Sequence, residues 1–345
     1  MVEHVTAKPS AADRRNPARH AASSIPAETW VVTDGSPGNE NQAIAVAEAV
    51  GVPFAIKRVR VSGVMRLLPP QLQIYLPPER LLRSVASSEP LTAPWPRLVV
   101  SAGSRSASVA LALKRSSGAF ALHILNPRLP FRLFDLIAAP AHDNLQAPNI
   151  IATAGSLHGV NKARLSAAAN QFRQQVASMP SPRIAVLLGG ASRAFSFKPR
   201  HAAALGTKLA ALVRDSGGSL LVTPSRRTPP ESLAAFARAI AGVSATIWSG
   251  SGENPYFGFL ALADAIVVTG DSVNMVTEAA GTGKPVFVQP LRGGSPKLAR
   301  FHRLMQERGA TRPFAGHLES WTYAPVNDTE LVAAAVRRAL ILGPR

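Results

Sequence analysis

Apolar and polar positions come in repeating blocks along this chain. A short run of aliphatic and β-branched residues is followed by a turn rich in Gly, Ser, Asp or Asn, and then by an Ala-rich helical stretch. Short continuous apolar runs mark strands buried on both faces, and the stretches after them mark crossover helices. In the first half the pattern predicts strands over 28–33, 54–59, 98–101, 120–125, 134–138 and 149–153. In the second it predicts strands over 184–188, 219–223, a run ending at Trp248, 265–268 and 286–289. Helices are predicted from Gln42 to Val50, up to Arg115, from Lys162 to Ala177, and at intervals to a terminal helix starting at Asp328. This alternation predicts an α/β fold: two doubly wound, Rossmann-like domains with parallel sheets, facing a cleft. The expected divisions are a disordered tail over 1–27, a first α/β domain over 28–178, a Pro-rich linker over 179–183, a second α/β domain over 184–327 and a C-terminal helix over 328–345.

Composition narrows the picture. The 345 residues are 46% hydrophobic, enough for two cores, but only 6% aromatic, so those cores must be mostly Ala, Val, Leu and Ile. There is no cysteine, which removes disulfides, thiol nucleophiles and thiolate metal sites. The net charge of +18 is spread, with sixteen basic against ten acidic residues up to 150 and twenty-two against ten after it. No dense basic run interleaved with aromatics appears, so specific nucleic-acid binding is not expected. A basic surface attracts anionic lipid or phosphorylated ligands, although an Arg-rich genome would leave the same mark. No apolar run is long enough to span a bilayer, and the first residues lack a secretory h-region. The expected location is cytoplasmic, at most peripheral on the inner face of the membrane. In 61–96, the proline-bounded pieces Met65–Leu68 and Leu72–Leu76 read either as local core or as a contact with membrane or a lipid acceptor.

The stretch richest in chemistry runs from Ala265 to Gln289. A strand meets the turn Thr269-Gly270-Asp271-Ser272, where Asp271 or Ser272 caps a short helix ended by Gly281 and Gly283. Val273, Val276 and Ala280 suit packing on a sheet, while Asn274, Glu278 and Gly281 share another face. A helix N-terminus suits phosphate, and Glu278 suits ribose hydroxyls; the bland alternative is a capped helix with a solvated Glu. A second turn, Gly189-Gly190-Ala191-Ser192-Arg193, follows the strand over 184–188. Its two glycines permit close backbone approach to phosphate, and Ser192 and Arg193 add a hydroxyl and a cation. Gly189, Gly190, Ser192, Arg193, Asp271, Ser272, Asn274 and Glu278 are therefore the expected diphosphate and ribose contacts. Pro224–Thr228 is either a further phosphate clamp or a basic turn.

The first half supplies the opposing wall, because loops after strand ends of a doubly wound sheet face the ligand crevice. Asp34, Asn39, Asn41 and Gln42 are expected to be exposed there, with Ser104, Arg105, His142, Asp143 and His158 on neighbouring strand-end loops. Asp34, His142 and His158 are the candidates for acid–base work or acceptor contact. His123 lies inside a strand and should be packed; His201, His302 and His317 receive no role. No His and carboxylate spacing indicates a metal site.

The motifs T-D-G-S-P-G-N-E-N-Q, S-A-G-S-R-S-A, P-A-H-D-N, T-A-G-S-L-H-G-V-N, L-L-G-G-A-S and T-G-D-S-V-N-M-V-T-E-A occur in order over roughly residues 28–330. In them the chain resembles the bacterial branch of the family named after the plant "elongated mitochondria" fission protein. More remotely, the second half is similar to the nucleotide-sugar domain of GT-B glycosyltransferases. That resemblance implies a GT-B-like fold, phosphate contacts at Gly190, Ser192, Ser272 and Asn274, and ribose at Glu278. It implies a metal-independent glycosyltransferase taking a nucleotide-diphospho-sugar as substrate, with no resident cofactor and a cell-envelope or lipid-linked acceptor. The fission-family resemblance implies an alternative: a non-catalytic scaffold acting through membrane or protein partners.

Overall fold

The structure, a computed structural model, describes residues 28–342, so the tail expected over 1–27 and the last three residues of the terminal helix lie outside the described residues. The first-half strands are β1 (Thr29–Thr33), β2 (Phe54–Val61), β3 (Val85–Ser87), β4 (Leu98–Ala102), β5 (Phe120–Ile124), β6 (Leu136–Pro140) and β7 (Ile150–Thr153). They form one seven-stranded sheet in the order β3-β2-β1-β4-β5-β6-β7. Every pairing is parallel except β2 with β3. All residues of β1 and β4 are buried, as expected for central strands covered on both faces. The strand order reverses between β1 and β4, which places the topological switch point, and the crevice it opens, at the loops after these two strands.

The second half contributes β8 (Arg183–Leu188), β9 (Phe195–Ser196), β10 (Ser219–Pro224), β11 (Ala245–Ile247), β12 (Ala265–Thr269), β13 (Val286–Gln289), β14 (Arg292–Gly293) and β15 (Thr311–Pro313). Six of these make a parallel sheet in the order β11-β10-β8-β12-β13-β15, while β9 and β14 pair as a small antiparallel ribbon. Here the switch point falls between β8 and β12. The two-domain, doubly wound architecture expected from the strand–helix alternation is what the chain adopts.

Three local expectations are corrected. The polar stretch after β1 is not mainly a loop: its helix starts at Pro37, with proline at the first turn, and runs to Val50. The strand expected over 134–138 is shifted to Leu136–Pro140, and Phe134 instead anchors a turn in the core. The helix Lys162–Phe172, expected to close the first domain, packs against the helix Tyr256–Leu262 of the second half. Gly258 admits the Phe172 ring, which a Cβ there would strike at 2.5 Å.

The terminal helix Asp328–Leu342 in turn packs on the first-domain helix Pro37–Val50, burying Val332, Ala333 and Val336 beside Val31, Val46 and Val100. The chain thus crosses between domains twice, and the two crossings are stitched together. The Thr329 hydroxyl accepts the His158 N–H and donates to the His158 carbonyl, both at 2.9 Å. The His158 ring donates from Nε2 to the Val326 carbonyl at 2.8 Å, and Asp328 accepts the Ala154 N–H. Among the described residues, no helix is long and apolar enough to cross a membrane. Replacing Thr329 by Val keeps the shape but leaves the buried His158 N–H and C=O without partners. Urea denaturation is expected to show a loss of about 1–3 kcal/mol; an unchanged midpoint would show that the stitch contributes nothing.

Candidate functional site

β8 and β12 are neighbours, so their outgoing loops lie side by side at one sheet edge. The Gly189 N–H donates to Thr269 Oγ1 at 2.7 Å, and the Gly190 N–H to Asp271 Oδ2 at 3.1 Å. Thr269 donates its hydroxyl to Asp271 Oδ1 at 2.7 Å, and Arg227 reaches Asp271 Oδ2 at 2.7 Å. The Asp271 side chain is fully buried. The two glycines are required here: a Cβ on Gly189 would strike the Asp271 carboxylate, and one on Gly190 the Arg227 backbone. The Thr228 hydroxyl donates to the Leu188 and Gly189 carbonyls, drawing the loop after β10 into the same plate. This revises the expected roles. The Gly189 and Gly190 amides and the Asp271 carboxylate are occupied inside the protein, so they shape the site rather than present ligand contacts. Ser272, not Asp271, is the helix cap, accepting the Met275 N–H at 3.4 Å.

The helix that follows, Val273–Ala280, turns one face to the first domain. Gly38 lies against the Asn274 amide, Gly155 against the Thr277 side chain, and Gly281 against the His158 ring. Glu278 shares that face by helical spacing. Its Oε2 accepts the Tyr256 hydroxyl at 2.6 Å. Desolvation and the Glu278 charge both push the Tyr256 phenol well above its ordinary pKa, so it stays a donor. Ser192 and Arg193 are exposed beside this plate. The Ser192 hydroxyl accepts the Ala194 and Phe195 amides, both at 3.2 Å, which shapes the turn. Arg193 lines an open cavity of about 520 Å³ together with Lys198, Arg200 and Arg292.

On the facing wall, much of the polar stretch after β1 serves structure. Asp34 accepts from the Ser36 N–H and hydroxyl and from Arg105 Nη1 at 3.4 Å. Burial pushes its carboxyl up, but the Ser36 hydrogen bonds and the Arg105 charge outweigh that and hold it below the ordinary value. Gln42, expected to be exposed, is buried; it donates to the Gly38 carbonyl and accepts the Leu157 N–H. Asn39 fills the space over Gly103, where a Cβ would collide with it. Glu40 receives a bidentate pair from Arg58.

The histidines divide clearly. His158 lies in the stitch between the crossings, with Nε2 on the Val326 carbonyl and Nδ1 accepting the Val160 N–H at 3.3 Å. Neither ring nitrogen is left for an acceptor hydroxyl. His142 is buried where the first domain meets the helix Pro296–Glu307, its ring edge-on to Phe301 at 5.3 Å. Arg300 donates to the His142 carbonyl, and Lys297 pairs with Asp143. Its Nδ1 has no hydrogen-bond partner among the described residues. Burial lowers the His142 pKa to about 4, so the ring is neutral near neutral pH. His302, given no role from the sequence, bonds the Gly270 carbonyl at 2.7 Å and so braces the turn Thr269–Ser272. Arg227 and Tyr256 were also missed as site residues; the basic turn after β10 was the one available signal, and Tyr256 left none. Among the described residues, no group of three or more His, Cys, Asp or Glu is placed to hold a metal ion.

The family model for mitochondrial fission ELM1 matches residues 37–340, and the chain belongs to that family. It is similar to the mitochondrial fission protein ELM1 of Arabidopsis thaliana, 33% identical over 281 residues, which cover 71% of this chain and 64% of the plant protein's length. It is also similar to an uncharacterized protein of Rickettsia prowazekii, 27% identical over 355 residues, covering 90% of this chain and 98% of the relative. Among solved structures it resembles the UDP-GlcNAc 2-epimerase of Methanocaldococcus jannaschii, with a TM-score of 0.56 at 11% identity, covering 91% of this chain and 99% of the enzyme. A second structure of that enzyme, in complex with UDP-GlcNAc and UDP, gives a TM-score of 0.51 at 13% identity, covering 91% of this chain and 99% of that one. The likeness shows the fold, which is GT-B-like.

The buried histidines generate a pH dependence with a definite sign. His142, and likewise His158 and His302, have pKa values lowered in the folded protein, chiefly by burial. Below the ordinary histidine pKa of about 6.5 the unfolded chain binds protons that the folded protein does not, so stability falls as pH falls. For His142 the window closes at about 4. Urea denaturation at about pH 7 and about pH 4.5 is expected to show the decline, and His142→Asn to remove about 1–3 kcal/mol of it. An unaltered slope in the variant would mean that the folded ring titrates normally.

Proposed function

We propose that this ELM1-family protein binds a nucleotide-diphospho-sugar in the cleft between its domains and transfers the sugar to a hydroxyl of a cell-envelope or lipid-linked acceptor. One observation carries the reading: the two switch points face each other, with Asn274 at the start of the helix Val273–Ala280 set against Gly38 of the first domain. A diphosphate beside this contact meets the positive end of that helix, the Ser272 and Asn274 side chains and the exposed Arg193. Glu278, oriented by Tyr256, takes the ribose hydroxyls. Charge developing on the leaving diphosphate is stabilised by the helix N-terminus and Arg193, groups already in place before reaction. The fold shared with an enzyme solved with UDP-GlcNAc and UDP makes a uridine nucleotide the first to test.

Two base candidates remain. The His142 ring is neutral and its Nδ1 has no partner among the described residues, but that nitrogen is buried; the Asp34 carboxylate is partly exposed and already accepts from Ser36 and Arg105. Proton removal from the acceptor by such a group contributes ~10²–10⁴ in rate. A second reading is a scaffold that kept the cleft without turnover. It is favoured by the plant relative's being a mitochondrial fission protein and by the number of polar site groups occupied inside the protein.

A thermal-shift series with UDP, GDP, ADP and their sugars tests the proposal. One nucleoside diphosphate, at about a hundredfold over its Kd, should add ~2.7 kcal/mol of stability. Glu278→Gln should abolish that rise while leaving the unliganded melting temperature nearly unchanged. No response to any nucleotide, or an undiminished response in the variant, would sink the proposed pocket. Binding without release of sugar to any acceptor would favour the scaffold.

A further inference from the structure

The segment between β2 and β3 forms a knuckle whose apolar side chains point out of the protein. Val64, Leu67 and Tyr75 are 76%, 78% and 79% exposed, and Leu72 is 52% exposed. These are side chains that a fold ordinarily buries, and here they lie close together along the chain. They are not on a loose loop. The buried Gln73 donates from Nε2 to the Met65 carbonyl at 3.1 Å and the Leu68 carbonyl at 2.8 Å, and accepts the Ser108 hydroxyl at 2.6 Å. Arg115 donates to the Ile74 and Leu76 carbonyls at 2.8 and 3.1 Å. The backbone is gripped from within, which leaves the apolar groups on the outer side.

Cations lie in the same segment. Residues 62–84 carry Arg66, Arg80 and Arg83, all exposed, against a single carboxylate, Glu79. None of the three arginines forms a salt bridge among the described residues. Apolar groups alone would suit many protein surfaces, and arginines alone any polyanion. The two together match a surface that is anionic outside and apolar just beneath. A second copy of this chain is a poor occupant, because it would bring like charges face to face. We infer that the knuckle Gly63–Arg83 docks the protein on an anionic lipid bilayer, with Leu67 and Tyr75 entering the acyl boundary and the arginines pairing with lipid phosphates. β2 runs parallel to β1, so the knuckle leaves the same sheet edge as the Asp34 loop and sits at the rim of the cleft. The inference does not depend on sugar transfer.

Vesicle co-sedimentation of the full chain tests it, using phosphatidylcholine vesicles with and without about 30% phosphatidylglycerol. The protein should partition onto the anionic vesicles, and Leu67→Ser/Tyr75→Ser should lower the partition coefficient by about tenfold or more. Net charge is controlled with two matched pairs. Arg66→Glu/Arg80→Glu should weaken binding at least as much, whereas Arg214→Glu/Arg238→Glu, on exposed second-domain helices, should change it by less than about threefold. Unchanged melting temperature in the serine variant confirms that it folds. Three results would overturn the inference: equal loss in both charge pairs, full binding by the serine variant, or no vesicle binding with a dimer that the serine variant abolishes.

Discussion

One buried carboxylate organises the second domain's half of the cleft. The Asp271 side chain has no solvent contact, and a lone charge there would be strongly disfavoured. It is compensated by a backbone N–H, a hydroxyl and a guanidinium, each from a different part of the chain: Gly190, Thr269 and Arg227. Those partners follow or end β8, β12 and β10, three adjacent strands. Satisfying one carboxylate therefore sets the relative positions of three loops. The paired glycines are what allow it, since any side chain at 189 or 190 would occupy the space of the carboxylate or of the Arg227 backbone. What is left for a ligand is the groups this plate holds in place: the helix start at Ser272 to Asn274 and the cations around Arg193.

The plate has a facing wall because of the double crossing. Were the chain to cross once, the domains would be joined by a single tether and their orientation set by little else. Instead the segments around His158 and Thr329 hydrogen-bond to each other, and the terminal helix returns to the first domain's core. This fixes which face of the helix Val273–Ala280 meets the first domain. The histidine that sequence logic put among catalytic candidates is thereby accounted for: its ring holds the crossing together. A histidine after a strand end can serve the crevice or the frame, and only its partners distinguish the two.

Much of the fold was legible in the chain. Continuous apolar runs gave the buried central strands, and Gly- and Ser-rich turns marked their outgoing ends. β3, β15 and the β9–β14 ribbon were not legible, because strands of two or three residues carry too little pattern and are defined by what they pair with. Pro37 did signal an earlier helix start than Gln42, through its fit to the first turn. For the site, the residue types were readable but their directions were not. That Gly190 and Asp271 meet depends on β8 and β12 being neighbours, which no local pattern encodes across 81 residues. Tyr256 reaches Glu278 by the same kind of long-range placement.

Charge shows the same conversion from chain to space. Along the sequence the basic excess looks diffuse, consistent with biased composition alone. In the folded protein most carboxylates that bear on the architecture are already engaged: Asp34 by Arg105, Glu40 by Arg58, Asp135 by Lys114, Asp143 by Lys297, Asp271 by Arg227. Pairing subtracts cations where acids sit and leaves them where acids are scarce. Two concentrations result, one around the cavity lined by Arg193, Lys198, Arg200 and Arg292, the other around the knuckle with Arg66, Arg80 and Arg83. Field from grouped, unpaired cations acts over about a Debye length of ~8–10 Å, so each group attracts anions as a unit. Among the described residues, part of the diffuse basic excess is thus gathered into two surfaces, one beside the second-domain turns and one at the rim of the first domain.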